Sequence, residues 1–393
     1  MDDILLSVII PTKDRYDVLF PILTSICNHV NDPAIEFVVQ DNSRNNKQIL
    51  DFIYNIKDSR IKYFYKHGDI DVVKNFNYAI SNAKGKYILI IGDDDFINPY
   101  IMNIMNLINE KDISGLIYPR ATYYWSDVKF TKEMDFFEPA SIQIIKDPDL
   151  NLKKHLSKVE LNNVLSSGGI YLFDLPALYH GIVKRSVVDE IYKKYDSYVL
   201  GPSPDMSLSI ALALEIESYY FVNFPVSIAG ASYNSAAGMG RRGTHNKSLE
   251  EIPTWLPKDM VTKWNPLIPR VWNGFTVYAQ SIYLVLKCYN FDKSISYIRL
   301  YDKILKDNFR DIKYLRSLEN FKKLQIVKRN LMILKNYLYN FVKGILMLLP
   351  SFFINIIINK HPSFLKIKHV KKIKNVEACM QWLKLEYKDS LGN

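Results

Sequence analysis

The chain has 393 residues, 48% hydrophobic and 23% charged, enough for one large domain with an appendage or for two domains, each with a packed core. Three cysteines far apart in sequence, Cys27, Cys288 and Cys379, show no ligand spacing and argue against a disulfide framework or a structural zinc site. The net charge of +10 is uneven, because the segment 321–374 holds twelve Lys or Arg and no Asp or Glu, and that asymmetry points to an anionic surface.

In chain order, LLSVII (5–10) predicts a buried strand that stops at Pro11 and the polar turn TKDR. Apolar spacing over 17–30 predicts a helix, IEFVVQ (35–40) a second strand broken by DNSRNN, and 48–56 another helix. IKYFYK (61–66) reads as a third strand, 72–82 as a helix and YILIIG (87–92) as a fourth strand. Continuous apolar strands separated by helices argue for an α/β fold with a mostly parallel sheet covered on both faces. Ligands of such sheets sit beyond the carboxyl ends of the strands. Polar clusters at 12–15, 41–46 and 93–95 fall at three of those ends.

The middle section, 117–230, is mixed, with helices expected near 184–195 and after Asp205. GASYNSAAGMGRRGTHN (230–246) reads as a loop, too rich in glycine and small residues to pack as an element. The proline-rich stretch 250–269 reads as a connector, and the pattern beyond 270 as helical to the end. These boundaries divide the chain into 1–248, a connector and helical extension at 249–320, and a basic, apolar tail at 321–393. In that tail the longest uncharged run, 344–359, is interrupted by Pro350 and is shorter than the roughly 20 residues a membrane-spanning helix needs. With lysines on both sides, an interfacial helix on an anionic membrane is expected; packing on the catalytic domain and an oligomer interface are the competing readings. No nucleic-acid motif accompanies the charge. The start, MDDILLSVII, has acids where a signal peptide has basic residues and runs straight into a strand pattern, so a cytoplasmic protein is expected.

YILIIGDDDFINP (87–99) drives a buried strand into three adjacent aspartates. Like charges this close raise one another's pKa, so the cluster is costly unless a cation compensates it. A divalent ion such as Mg²⁺ or Mn²⁺, bridging carboxylates and a diphosphate, would do so. The bland alternative is a solvated Asp-rich turn. GxxxxGK[ST] and GxGxxG are both absent after the first strand, so phosphate cradling by a glycine-rich loop is not expected.

SVIIPTKDR, VVQDNSRNN and KNFNYAISNAKGKYILIIGDDDFINP, in that order and spacing, resemble the family-2 glycosyltransferases, inverting enzymes with a GT-A fold, closely over 6–100 and loosely to about 246. The resemblance implies a nucleotide-sugar donor (a UDP-sugar foremost), Mn²⁺ or Mg²⁺, and a glycan or lipid-linked glycan acceptor. It places Pro11, Thr12 and Arg15 along the nucleotide pocket, Asp41 and Asn42 at the base, and Lys74 and Asn75 at the nucleotide or diphosphate. Asp93 would face the ribose. DxD counting makes Asp95 the metal ligand, whereas anchoring on Pro99 makes it Asp94. Asp205, in Pro204-Asp205 where the family often has an ED pair, would be the general base, with helix capping as its alternative role. Arg241 and Arg242 would clamp phosphate oxygens, and His245 would be a further metal ligand. Ser166–Gly169 and His180-Gly181 are expected where the sheet borders the acceptor, and Trp125 as a ring that stacks on a sugar. The resulting expectation is a metal-dependent sugar transferase building a bacterial surface glycan (capsule, O-antigen or lipooligosaccharide) at the inner membrane face. A nucleotidyltransferase and a non-catalytic scaffold of the same fold are the alternatives.

Overall fold

The structure, a computed structural model, describes residues 4–130, 137–172, 174–241, 247–251, 256–324, 326–348 and 366–388. Strands and helices alternate at the start: β1 (Leu6–Thr12), α1 (Tyr16–His29), β2 (Ile35–Asp41), α2 (Lys47–Ile56), β3 (Ile61–Tyr65), α3 (Val72–Ser81) and β4 (Tyr87–Ile90). The four strands are parallel, with β1 between β2 and β4, and Ile9 lies opposite both Val38 and Ile90. Residues of β1, β2 and β4 are almost wholly buried, as expected of apolar runs covered on both faces. Pro11 is tolerated in a central strand because the pairing with β4 ends opposite Ile9.

The chain continues through β5 (Phe96–Ile97), α4 (Ile101–Glu110), β6 (Gly115–Ile117), β7 (Ala121–Tyr124), β8 (Ser141–Ile145), β9 (Leu152–Leu156) and α5 (Ser157–Ser167). Next are β10 (Ile182–Lys184), α6 (Arg185–Tyr195), α7 (Pro204–Glu215), β11 (Ser218–Val222), β12 (Ser227–Ala231) and α8 (Ala236–Arg241). Eight strands form the main sheet in the order β3-β2-β1-β4-β10-β6-β11-β9. Its first half is parallel, whereas β10 and β9 run antiparallel to their neighbours.

The last part holds β13 (Lys247–Ser248), β14 (Val271–Trp272), α9 (Gly274–Cys288), α10 (Tyr297–Asp307), α11 (Ile312–Leu315), α12 (Glu319–Lys323), α13 (Ile326–Leu348), β15 (Ile367–Val370) and α14 (Val376–Tyr387). A second sheet has the order β15-β8-β7-β12-β5. Since β4 belongs to the main sheet and β5 to the second, the three aspartates form the crossing between the two sheets.

Two expectations change. Residues 230–246 do not all form a loop, because β12 runs to Ala231 and α8 covers 236–241. Small residues serve close packing there: a Cβ on Gly238 would lie 1.9 Å from the Ser232 carbonyl oxygen. The segment 366–388, read as part of an appended helical tail, is built into the first domain. β15 pairs with β8, and α14 lies on α1, with Cys379, Met380 and Leu383 in the same core cluster as β1 and α1. His29 Nε2 meets Glu377 Oε1 at 2.7 Å, and the Tyr123 hydroxyl donates to the Ile373 carbonyl at 3.0 Å.

Helix α13 packs on α10 through Met332 and Ile333, and Asn336 donates to Asp302 at 2.9 Å. Its opposite side leaves Leu331, Leu334 and Phe341 more than half exposed. No described helix is long and apolar enough to cross a membrane.

Candidate active site

The turn after β4 sorts the three aspartates. Asp95 folds back, its Oδ2 accepting from the Gly92 amide at 2.6 Å while its own amide donates to the Gly92 carbonyl at 3.2 Å. Oδ2 also meets the Tyr179 hydroxyl and His180 Nε2, each at 2.9 Å, and Oδ1 accepts from the Gly230 amide at 2.6 Å. His180 is held from behind by Ser227 Oγ, 2.7 Å from Nδ1. Burial works against the Asp95 charge, yet His180 and the two amides outweigh it and keep the carboxyl below the usual carboxylate range. Asp95, one of the two expected metal ligands, therefore has both oxygens committed inside the protein. His180, expected near an acceptor, is its partner.

Asp93 and Asp94 point the other way, toward the loop between β1 and α1. Thr12 Oγ1 donates to Asp93 Oδ2 at 2.7 Å. The Arg15 guanidinium spans the pair, with one nitrogen 2.7 Å from Asp93 Oδ1 and the other 3.3 Å from Asp94 Oδ2. That second nitrogen also donates to Ser232 Oγ at 2.6 Å. The Ser232 amide and hydroxyl in turn donate to Asp94 Oδ2 at 3.0 and 2.7 Å. Gly230 makes this approach of β12 possible, since a Cβ there would lie 1.8 Å from the Asp94 carbonyl oxygen. Trp125 is spent in the same place: its indole N–H donates to that carbonyl at 3.0 Å, so it braces the turn and is not available as a sugar platform.

Even with Arg15 in contact, both carboxyls are raised above the usual range, by burial first, with the Asp94 charge adding to the shift of Asp93 and the Asp95 charge to that of Asp94 while Arg15 opposes. One guanidinium faces two carboxyls and can balance at most one charge when both are ionised. Among the described residues no donor is bonded to Asp94 Oδ1, and no cluster of three or more potential metal ligands occurs. Two adjacent carboxylates with a charge deficit and a free oxygen suit a hard divalent ion that takes its remaining ligands from phosphate and water. Asp94, with Asp93 beside it, fits the expected ion.

The other expected residues divide. Asn42 and Asn75 are buried, and each leaves its Oδ1 with no hydrogen-bond donor, as acceptors waiting for a ligand would. Asn42 is oriented by donating to the carbonyls of Lys66 and Gly68, both at 2.8 Å. Asp41 differs from expectation. Its carboxylate is fully buried, with Oδ2 accepting from Tyr16 and Tyr63 at 2.6 and 2.8 Å and Oδ1 from the Ser43 amide at 2.7 Å, so it fixes the turn and offers no face to a base. Lys74 is exposed on α3, 3.6 Å from its helix-capping neighbour Asp71, and its charge also reaches Asp259. Pro11 lies beside Thr12 at the end of β1. Arg241 closes α8; Arg242 and His245 lie outside the described residues. Ser166–Gly169 ends α5, where Gly168 and Gly169 adopt positive φ and pack against 279–300.

Asp205 sits in the first turn of α7 after Pro204, the local pattern of a helix start. Its Oδ1 accepts from its neighbours, the Ser203 hydroxyl and the Met206 amide, and its Oδ2 accepts from the Tyr278 hydroxyl at 2.8 Å. The Asp205 charge, then burial, push the Tyr278 hydroxyl pKa well above its usual value. Tyr278 comes from α9, whose start is fixed by a capping box between Asn273 and Thr276. Sequence reasoning missed Tyr278, Ser232 and Arg120. Arg120 is exposed just before β7, and its charge reaches Tyr118, Tyr179 and Tyr278. Gly230 within a strand was the one available signal for Ser232, since a strand glycine often marks close backbone approach.

Residues 7–162 match Glycosyl transferase family 2. No curated protein sequence matches the chain. Solved structures with a similar outline include Staphylococcus aureus TarS 1-349 in complex with UDP-GlcNAc, at 13% identity and a TM-score of 0.45, covering 84% of this chain and 79% of that one. The same TarS segment in complex with UDP gives 14% identity and 0.44, over 83% and 77%. Against a longer TarS chain the identity is 16% and the TM-score 0.40, over 58% of this chain and only 37% of that one. The sequence match spans the strand-end site: residues 7–162, which carry Thr12, Arg15, Asp93 and Asp94, are similar to glycosyltransferase family 2, and they lie on a mixed sheet followed by a C-terminal helical region.

Proposed function

We propose that the chain transfers a sugar from a nucleotide-diphosphate sugar, with inversion, to a hydroxyl of a bacterial surface glycan. The observation that carries this reading is the pairing of Asp93 and Asp94 with Arg15 at the strand ends, together with buried oxygens of Asn42 and Asn75 that have no donors. Asn42 and Asn75 would accept hydrogen bonds from base or ribose. Arg241 and Arg242 would face the diphosphate, with His245 a further candidate ligand. Mn²⁺ or Mg²⁺, held by Asp94 with Asp93, would neutralise charge on the departing diphosphate. Asp205 would take the proton of the acceptor hydroxyl as its oxygen bonds to the anomeric carbon and the bond from that carbon to the diphosphate oxygen breaks. Tyr278 and Ser203 would aim the Asp205 carboxylate.

The acceptor would be part of a capsule, O-antigen or lipooligosaccharide, and the enzyme would work peripherally at the inner face of the cell membrane. The exposed apolar face of α13, among the basic residues of 321–374, supports an interfacial contact with anionic lipid. Calorimetric titration with UDP, GDP and CMP, each with and without Mn²⁺, tests the reading. Binding of one nucleotide, strengthened by Mn²⁺, is expected, with a UDP-sugar the first donor to assay. Failure of all three to bind would overturn it.

A further inference from the structure

We propose that Arg15 is the resident counter-cation of Asp93 and Asp94, and that a divalent ion can take those carboxylates only together with a diphosphate that draws the guanidinium away. The proposal rests on the functional reading above and adds an order of events to it. The fork of Arg15 reaches Asp93 at 2.7 Å and Asp94 at 3.3 Å, and Ser232 Oγ anchors it at 2.6 Å. Arg15 begins α1, with its backbone carbonyl accepting from the Val18 and Leu19 amides, so the side chain is delivered from a fixed point. Its side chain is 22% exposed and the two carboxylates 6% each, so solvent screens the cluster little.

A guanidinium holds its charge at any working pH and cannot step aside by losing a proton. An ion bound to Asp94 at about 2.1 Å would sit within a few ångströms of that guanidinium, and a dipositive ion so close to a fixed positive charge is strongly repelled. A diphosphate changes both sides of this balance. Its oxygens accept the guanidinium fork with the same geometry as a carboxylate and fill the ion's open positions. The ion and the nucleotide therefore enter as one unit, and Arg15 passes from carboxylate to phosphate. In the free protein the same contact keeps two mutually repelling aspartates in place.

Mn²⁺ binding, followed by the loss of the free-ion paramagnetic resonance signal, tests this on the full chain with and without UDP. The wild type is expected to bind Mn²⁺ at least tenfold more tightly with UDP than without. Arg15→Gln is expected to bind Mn²⁺ alone at least tenfold more tightly than the wild type, and UDP with Mn²⁺ more weakly. Arg15→Lys, which keeps the charge without the fork, should fall between them and guards against a folding defect in Arg15→Gln. Equal Mn²⁺ affinity of wild type and both variants without UDP would overturn the proposal, provided UDP still binds. Absence of UDP binding in every form would overturn the functional reading, and this one with it.

Discussion

The two sides of the turn at 92–95 use the same residue type for opposite ends. On the Asp95 side, a charge is sealed under the sheets and met by two backbone amides, a tyrosine and a histidine. On the Asp93–Asp94 side, two charges share one guanidinium and a few hydroxyl and amide donors, and their carboxyls stay raised. Satisfied charge builds structure, whereas under-compensated charge waits for a ligand. A run of three aspartates is therefore two devices under the proposed function: a bracket that closes the crossing between sheets, and a pair of carboxyls that the bracket would present to a ligand.

Substitutions on each side should separate the two devices. Asp94→Ala is expected to lower transfer by about 10³-fold while the melting temperature stays within a few degrees of wild type, in an activity assay paired with circular dichroism. Loss of the fold in that variant would erase the distinction. Asp205→Asn should lower transfer by about 10²-fold or more with UDP affinity unchanged by calorimetry, since it removes a proton acceptor and no donor contact. A parallel loss of UDP affinity would move Asp205 into the donor pocket.

On the sealed side, Asp95→Asn should cost about 3–5 kcal/mol of stability at neutral pH in urea unfolding, because it leaves His180 facing a neutral amide in a buried site. The folded-state pKa of Asp95 lies below its unfolded value, so the charge contributes stability above the unfolded pKa and loses it as pH falls through the folded one. The gap between wild type and Asp95→Asn should accordingly be full at neutral pH and narrow as pH falls from about 4 to about 2. A constant gap across that range would mean that packing, and not charge, holds the bracket. Away from the turn, Leu383→Ala in α14 should cost about 2–5 kcal/mol by the same measurement, since Leu383 is fully buried against the first domain. No loss there would return 366–388 to the status of an appendage.

Much of the first hundred residues was legible because local pattern and tertiary environment agree. Apolar strands such as IEFVVQ are buried on both faces, and the polar residues that follow them gather at one edge. Thr12, Arg15, Asp93 and Asp94 were readable as a group for that reason. What was not readable depends on contacts between distant parts of the chain. Asp41 looks like Asp93 in sequence, and only Tyr16 and Tyr63 closing over it reveal a structural role. Tyr278 reaches Asp205 from another helix, 73 residues away. IKHV (Ile367–Val370) is set among lysines and becomes a strand only because β8, more than 200 residues earlier, offers an edge.

The most direct test of the central claim is a crystal structure with UDP and Mn²⁺, with the ion located by its anomalous signal. The account predicts a peak about 2.0–2.3 Å from an Asp94 carboxylate oxygen, Arg15 turned onto a phosphate, and the nucleotide beside Asn42 and Asn75 with Asp95 unmoved. A nucleotide bound away from Thr12 and Arg15, or an ion ligated by Asp95, would contradict it.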